Sequence, residues 1–176
     1  MAAAVRRVGV DEWERVRELR LMALQDPDAG IAFLDTYAHS AAQSDGFWRG
    51  RTTAAATERT VAQFIAEDAA DWIGTVTVIV RPAGAADHLG RAVETRRADV
   101  VGVYVRPAGR GDGTIDRLLE AAARWAADAG LDSLSLDVHV DNLRAQAAYR
   151  RAGFVRIGDE LHGPIGAEIT MVRALR

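Results

Sequence analysis

The 176-residue sequence contains no cysteine and no lysine. Without cysteine there can be no disulfide, no thiolate nucleophile and no Cys-ligated metal. The missing lysine means that all 22 basic side chains are arginines, which together with the abundant alanine is a mark of composition rather than of function. A basic excess is also lacking. The formal net charge of −3 argues against a dedicated nucleic-acid binder, which would present a positive field. The four histidines, His39, His88, His139 and His162, have no metal-ligand spacing, so no metal is expected. The opening MAAAVRRVGV shows neither a long apolar run nor a convincing signal-peptide cleavage region, and no stretch is long and apolar enough to cross a bilayer. The expectation is a soluble, cytoplasmic protein without a membrane partner.

What is present is an ordinary globular mixture, 49% hydrophobic and 27% charged, in a length that suits a single domain over 1–176. Ala4 to Val8 reads as a strand. Asp11 with Glu14 has the spacing of a capping box ahead of a helix lined by Trp13, Val16, Leu19 and Ala23, which Pro27 stops. Residues 28–57 are less regular, with short helices expected over Thr36–Gln43 and Asp45–Thr57. Their aromatics (Phe33, Tyr37, Phe47, Trp48) either seal one end of a core or line a substrate pocket. Thr60–Ala66 and Trp72–Val80 read as a hairpin in which alternation puts Trp72, Gly74, Val76, Val78 and Val80 on one face. Residues 81–92 form a polar loop, long for a hairpin, that is either a surface excursion or a wall beside a site.

The most informative stretch is Val100 to Gly130. Val100, Val101, Val103, Tyr104 and Val105 favour an extended chain. Gly109, Gly111 and Gly113 then turn it, and from Ile115 the apolar spacing becomes helical through Leu118, Leu119, Ala122, Ala123 and Ala126. A strand that passes through glycines into a helix N-terminus presents unpaired N–H groups to an anion. Ser133–Val138 reads as a further strand, Leu143–Ala152 as a helix capped by Asp141 or Asn142, and Phe154–Glu160 with Glu168–Leu175 as a final hairpin. The order predicts a mixed α/β fold, a central sheet with one parallel pair flanked by helices.

Two motifs within this order resemble the GNAT family of acetyl-CoA-dependent N-acetyltransferases. VYVRPAGRGDGTIDRLL is similar to the family's strand followed by Gln/Arg-x-x-Gly-x-Gly/Ala at the head of a long helix, with Arg110, Gly113 and Ile115 at the marked places. Ile115 departs from the pattern, which has a small residue there. LDVHVDNLRAQAAYRRAGF matches the second motif through Asn142, Tyr149, Gly153 and Phe154. Together the motifs span about a third of the chain.

The resemblance implies an acyl-CoA N-acyltransferase fold with splayed parallel strands, and acetyl-CoA as acetyl donor with no metal. It implies that the backbone of Val103, Tyr104 and Val105 meets the pantetheine, and that Arg110, Gly111, Asp112, Gly113, Thr114, Ile115 and Asp116 form the diphosphate turn. Asn142 would steady the cofactor or only cap its helix. Tyr149 would be the general acid for the departing thiolate, a role that suits a phenol of pKa near 10. Asp137 matches a site where some relatives keep a base, with Glu94, Asp99 and His139 as lesser candidates. The acceptor is expected to be a small-molecule amine (an antibiotic, polyamine or amino-acid derivative). A protein or peptide amine, and a non-catalytic acyl-CoA-binding module, are the alternatives. A homodimer would fit the family.

Overall fold

The computed structural model describes residues 3–175. In chain order the elements are β1 (Ala4–Arg7), α1 (Trp13–Ala23), α2 (Tyr37–Ala41), α3 (Asp45–Thr57), β2 (Val61–Asp68), β3 (Asp71–Arg81), β4 (Arg97–Val105), α4 (Thr114–Asp128), β5 (Ser133–His139), α5 (Leu143–Arg151), β6 (Val155–Gly163) and β7 (Gly166–Ala174). The strands build one seven-stranded sheet in the order β1-β2-β3-β4-β5-β7-β6. β4 and β5 run parallel and the other neighbours antiparallel, so the expected mixed sheet with one parallel pair is what forms.

Each face of the sheet buries a different set of helices. α4 lays its stripe of Leu118, Leu119, Ala122, Ala123 and Ala126 on one face, in a cluster with Val76, Val78, Val100 and Leu134. Three alanines in that stripe let the helix approach the sheet closely. The other face packs Val16 and Leu19 of α1 and Trp48 and Ala55 of α3 around Ile65, Trp72 and Tyr104. The irregular aromatics thus divide. Trp48 is core, Phe33 is buried at the edge of a cavity, and Tyr37 and Phe47 are exposed.

Two local expectations change. Asp11 and Glu14 do not form a capping box. Glu12 takes the position before α1, and its carboxylate accepts from the Gly9 amide at 2.7 Å and pairs with Arg6 at 2.7 Å, tying β1 to the helix start. A longer acidic side chain with an arginine in reach outcompetes the local cap. In β3, Trp72 pairs with Glu67 but Gly74 with Ala66, so Ile73 is an extra residue. This bulge reverses the alternation and sends Trp72 to the α1/α3 face while Ile73, Val76 and Val78 pack on the α4 side.

Gly74 sits where three elements close together. A Cβ there would lie 3.0 Å from the Tyr104 carbonyl, 3.1 Å from Leu118 and 3.2 Å from Val105. Gly74→Ala is therefore expected to cost about 1–3 kcal/mol through overpacking, read as a lowered urea midpoint at unchanged slope.

Candidate functional site

The site begins where the central parallel pair fails. β4 and β5 are in register only at Ala98–Leu134 and Asp99–Ser135. Two β4 residues, Gly102 and Val103, then stand opposite the single residue Val76 of β3, because Thr75 faces Tyr104 and Thr77 faces Val101. Gly102 has φ +60°, a conformation that glycine adopts without strain, and the extra residue swings the end of β4 away from β5. A cavity of about 680 Å3 occupies the gap, lined by Val100 to Val105 on one side and Leu136 to His139 on the other.

At one end the cavity meets the turn into α4. Gly111 and Gly113 both have positive φ, and Asp112, exposed, accepts from the Thr114 amide at 2.9 Å. Its carboxylate is thereby turned toward the helix start and held below its ordinary pKa, chiefly by the donors of Thr114. Among the described residues the amides of Gly111, Gly113, Ile115 and Asp116 meet no acceptor. That is a cradle for an anion. Arg110 lines it but is engaged, donating to the Val105 carbonyl at 2.8 Å and to Asp26 at 2.5 Å. Ile115 lines the cavity and also packs against the α4 cluster. The bulky departure from the motif is thus absorbed largely by the core.

Of the other residues singled out in the sequence, Val103, Tyr104, Val105, Gly111, Asn142, Asp137 and Tyr149 all line the cavity. Asp112, Gly113, Thr114 and Asp116 do not line it. Thr114 is buried, with its hydroxyl accepting from Arg117 at 2.9 Å, and Asp116 lies 3.8 Å from Arg151. Asn142 is the cap of α5, accepting from the Ala145 amide at 3.2 Å, and is buried where it also lines the cavity. Tyr149 is buried with its ring 5.9 Å from that of Phe154. Burial pushes its phenol well above the ordinary value, so it stays protonated through the neutral range. Among the described residues its hydroxyl has no hydrogen-bond partner, which leaves it available to the cavity.

Asp137 is much less free. Its carboxylate accepts from Arg91 at 2.6 Å and Thr170 at 2.5 Å, with His88 at 3.4 Å. Arg91 also grips Asp87, which is held down at about 2: burial opposes its charge, but the Arg91 and Leu89 amides and the Arg91 side chain outweigh that. The long polar loop is therefore a wall of the site, stapled to β5 through Asp137. Glu94 and Asp99 do not reach the cavity. Asp99 is buried between Arg81 and Arg97.

The carboxylate that the sequence reading missed is Glu168. It stands directly across from His139 in the β5–β7 register, is buried on the cavity wall, and its Oε2 has no partner among the described residues. Burial raises its pKa and Asp137 adds to the shift, against His88, His139 and Arg91. Gly163 provides the room, since a Cβ there would come 2.6 Å from Oε2. His139 accepts at Nδ1 from the Asp141 amide, 3.1 Å, which leaves its Nε2 as the site of the proton. Arg20 and Arg51 also line the cavity and were likewise missed. Arg20 had a signal: it lies four residues after Val16, on the flank of the buried stripe of α1.

Residues 13–154 match the acetyltransferase (GNAT) family. The chain belongs to that family. A 53-residue stretch is 42% identical to the aminoglycoside N(6')-acetyltransferase type 1 of Stenotrophomonas maltophilia, covering 30% of this chain and 35% of that enzyme. The chain thus spans about a third of that relative in the match. Among solved structures, a GNAT-family acetyltransferase from Streptococcus pneumoniae superposes with a TM-score of 0.79 at 17% identity, over 99% of both chains. A GNAT-superfamily phosphinothricin acetyltransferase from Sinorhizobium meliloti, solved with acetyl-CoA, superposes at 0.73 with 18% identity, over 99% of this chain and 89% of that one. The GNAT fold accounts for the splayed strands and the glycine turn together.

Glu168 yields a stability prediction. Because its pKa is raised in the folded chain, the folded state holds the proton above the ordinary glutamate value of 4.5, where the unfolded chain has lost it. Stability then falls as pH climbs through that window. Urea midpoints measured from below pH 4.5 upward should show Glu168→Gln gaining on the parent as pH rises. A difference independent of pH would contradict the raised pKa.

Proposed function

We propose that the protein is an acetyl-CoA-dependent N-acetyltransferase acting on the primary amine of a small molecule, by direct attack in a ternary complex. The observation that carries this is the convergence on one cavity of the splayed β4 edge, the Gly111 and Ile115 end of the α4 turn with its unpaired amides, the protonated Tyr149 and the buried Glu168. The turn amides fit the diphosphate, the β4 backbone fits the pantetheine amides, and acetyl-CoA supplies the activated acetyl thioester. An aminoglycoside acetyltransferase and a phosphinothricin acetyltransferase among the similar proteins support a small-molecule acceptor.

Glu168 is the better-placed base. Asp137 already spends both oxygens on Arg91 and Thr170, whereas Glu168 Oε2 is unpartnered and its raised pKa suits proton uptake nearer neutrality. Glu168 takes a proton from the acceptor ammonium, whose freed lone pair forms the new N–C bond to the acetyl carbon. β4 amides meet the charge that grows on the carbonyl oxygen. As the C–S bond breaks, Tyr149 donates its proton to the sulfur. Of the two protons the nitrogen loses, one restores Tyr149 and the other leaves through Glu168.

The test is release of free CoA from acetyl-CoA across a panel of amines. Tyr149→Phe should lower kcat by roughly 10²–10⁴-fold while acetyl-CoA still protects the protein from thermal unfolding. Unchanged turnover would remove Tyr149 from the chemistry. Tight acetyl-CoA binding with no turnover of any amine would favour an acyl-CoA-binding module. In the pH profile of kcat/KM, the acid limb should lie above the ordinary glutamate range and flatten in Glu168→Gln; a limb unaltered by that change would return the role to Asp137 or to water.

A further inference from the structure

The acceptor side of the cavity holds charges of both signs, and they are unequally satisfied. Asp137, Glu168 and His88 stand on one wall. Arg20 of α1 and Arg51 of α3 line the same cavity from the helices that cover the other face of the sheet. Most arginines near the interior are committed to carboxylates: Arg91 and Arg97 to Asp87, Arg81 to Asp99, Arg110 to Asp26. Of the arginines that line the cavity, Arg20 and Arg51 are not so committed.

Arg20 is shelved on the Phe33 ring, 4.7 Å from its centroid, and its nearest carboxylate is Asp35 at 3.9 Å. Asp35 is already occupied by the Thr36 amide at 2.8 Å, His39 at 2.6 Å and Ser40 at 2.5 Å. Among the described residues Arg51 has no hydrogen bond and no ion pair at all. Its side chain is exposed and lines the cavity. Burial and the neighbouring Arg51 push the Arg20 pKa down to about 10, and burial pushes Arg51 down as well. Two mutually repelling guanidiniums, one fixed by stacking, share one nearby and largely spent counter-charge, Asp35.

We propose that Arg20 and Arg51 form an oxyanion subsite, and that the acceptor is an amine that also carries a carboxylate or comparable oxyacid group. This deepens the acetyltransferase reading and rests on it. An anion between the two guanidiniums relieves their repulsion, and their planar N–H forks match an oxyacid in a way that a point charge does not. The ammonium of the same molecule is then directed toward Glu168 and Asp137. A polycation with no acid group would instead set its charges against Arg20 and Arg51.

The experiment pairs acceptors that differ only in the acid: α-amino acids against their amides, with a polyamine and an aminoglycoside alongside. Each is assayed for CoA release and, separately, for thermal protection in the presence of CoA. The free acids should be preferred by at least about tenfold in kcat/KM, the worth of one charge-assisted contact. Arg51→Gln should raise KM for the acids about tenfold and erase the acid-over-amide preference, with acetyl-CoA protection retained. Arg51 is exposed and, among the described residues, makes no hydrogen bond or ion pair, so this variant should fold, and Arg20→Lys serves as the partner change that keeps the charge but loses the fork. Amides or polycations turned over as well as the acids, or variants that weaken both members of a pair equally, would overturn the subsite. The thermal arm separates the two readings. Acids that protect the parent but not Arg51→Gln, without turnover, would uphold the subsite and sink the catalysis; no protection by any acid would sink the subsite whatever the turnover.

Discussion

β4 and β5 lie at the centre of the sheet but share a register of only two residue pairs, after which backbone groups that would normally bond across the gap have no strand to meet. Leaving such groups unpaired in an interior costs free energy comparable to a lost hydrogen bond each, so the arrangement persists only where other contacts hold it open. Those contacts are visible. The bulge at Gly102 re-aims the end of β4, α4 clamps both strands from one face through Leu118 and Leu119, and β7 straps β5 along its whole length from Ser133 to His139. The cleft is thus a consequence of rigid packing around it.

The electrostatics follow the same division between fixed and available groups. Asp137, Asp87, Arg91 and Arg97 neutralise one another and turn a polar twelve-residue loop into a firm wall. Glu168, Tyr149, Arg20 and Arg51 are placed in the same cavity but left without equivalent partners. Each is shifted by burial in the direction that disfavours its charged form. On the proposed mechanism, an acid held protonated and a base with a raised pKa, in one cavity, are the separated pair for acyl transfer to an ammonium.

The parts of this site that could be read from the sequence are those built by continuous chain. The strand, glycine turn and helix from Val100 to Gly130 are local, and so is the cap-to-tyrosine spacing from Asn142 to Tyr149. Trp72 failed because alternation assumes an uninterrupted strand, and the Ile73 bulge comes from pairing with β2. Asp137 was found but its restraint was not, since Arg91 and Thr170 reach it across 46 and 33 residues of chain. Glu168 resembled any polar residue opening a strand. Its character comes from standing opposite His139 in a register that no local pattern encodes.

That contrast bears on how the fold separates donor from acceptor. The proposed donor half uses backbone: amides of a turn and the edge of β4, which almost any side chains can supply provided the glycines are in place. The proposed acceptor half is made of side chains from α1, α3, the 81–92 loop, β5 and β7, distant elements that the sheet gathers. Substitutions such as Ile115 are therefore tolerated in the first half, because the residue's bulk is turned into the core while its amide remains on the turn. In the second half the character of the wall depends on individual side chains. On the proposed reading, the choice of acceptor resides in the charges of Arg20, Arg51 and Glu168 rather than in the motif residues.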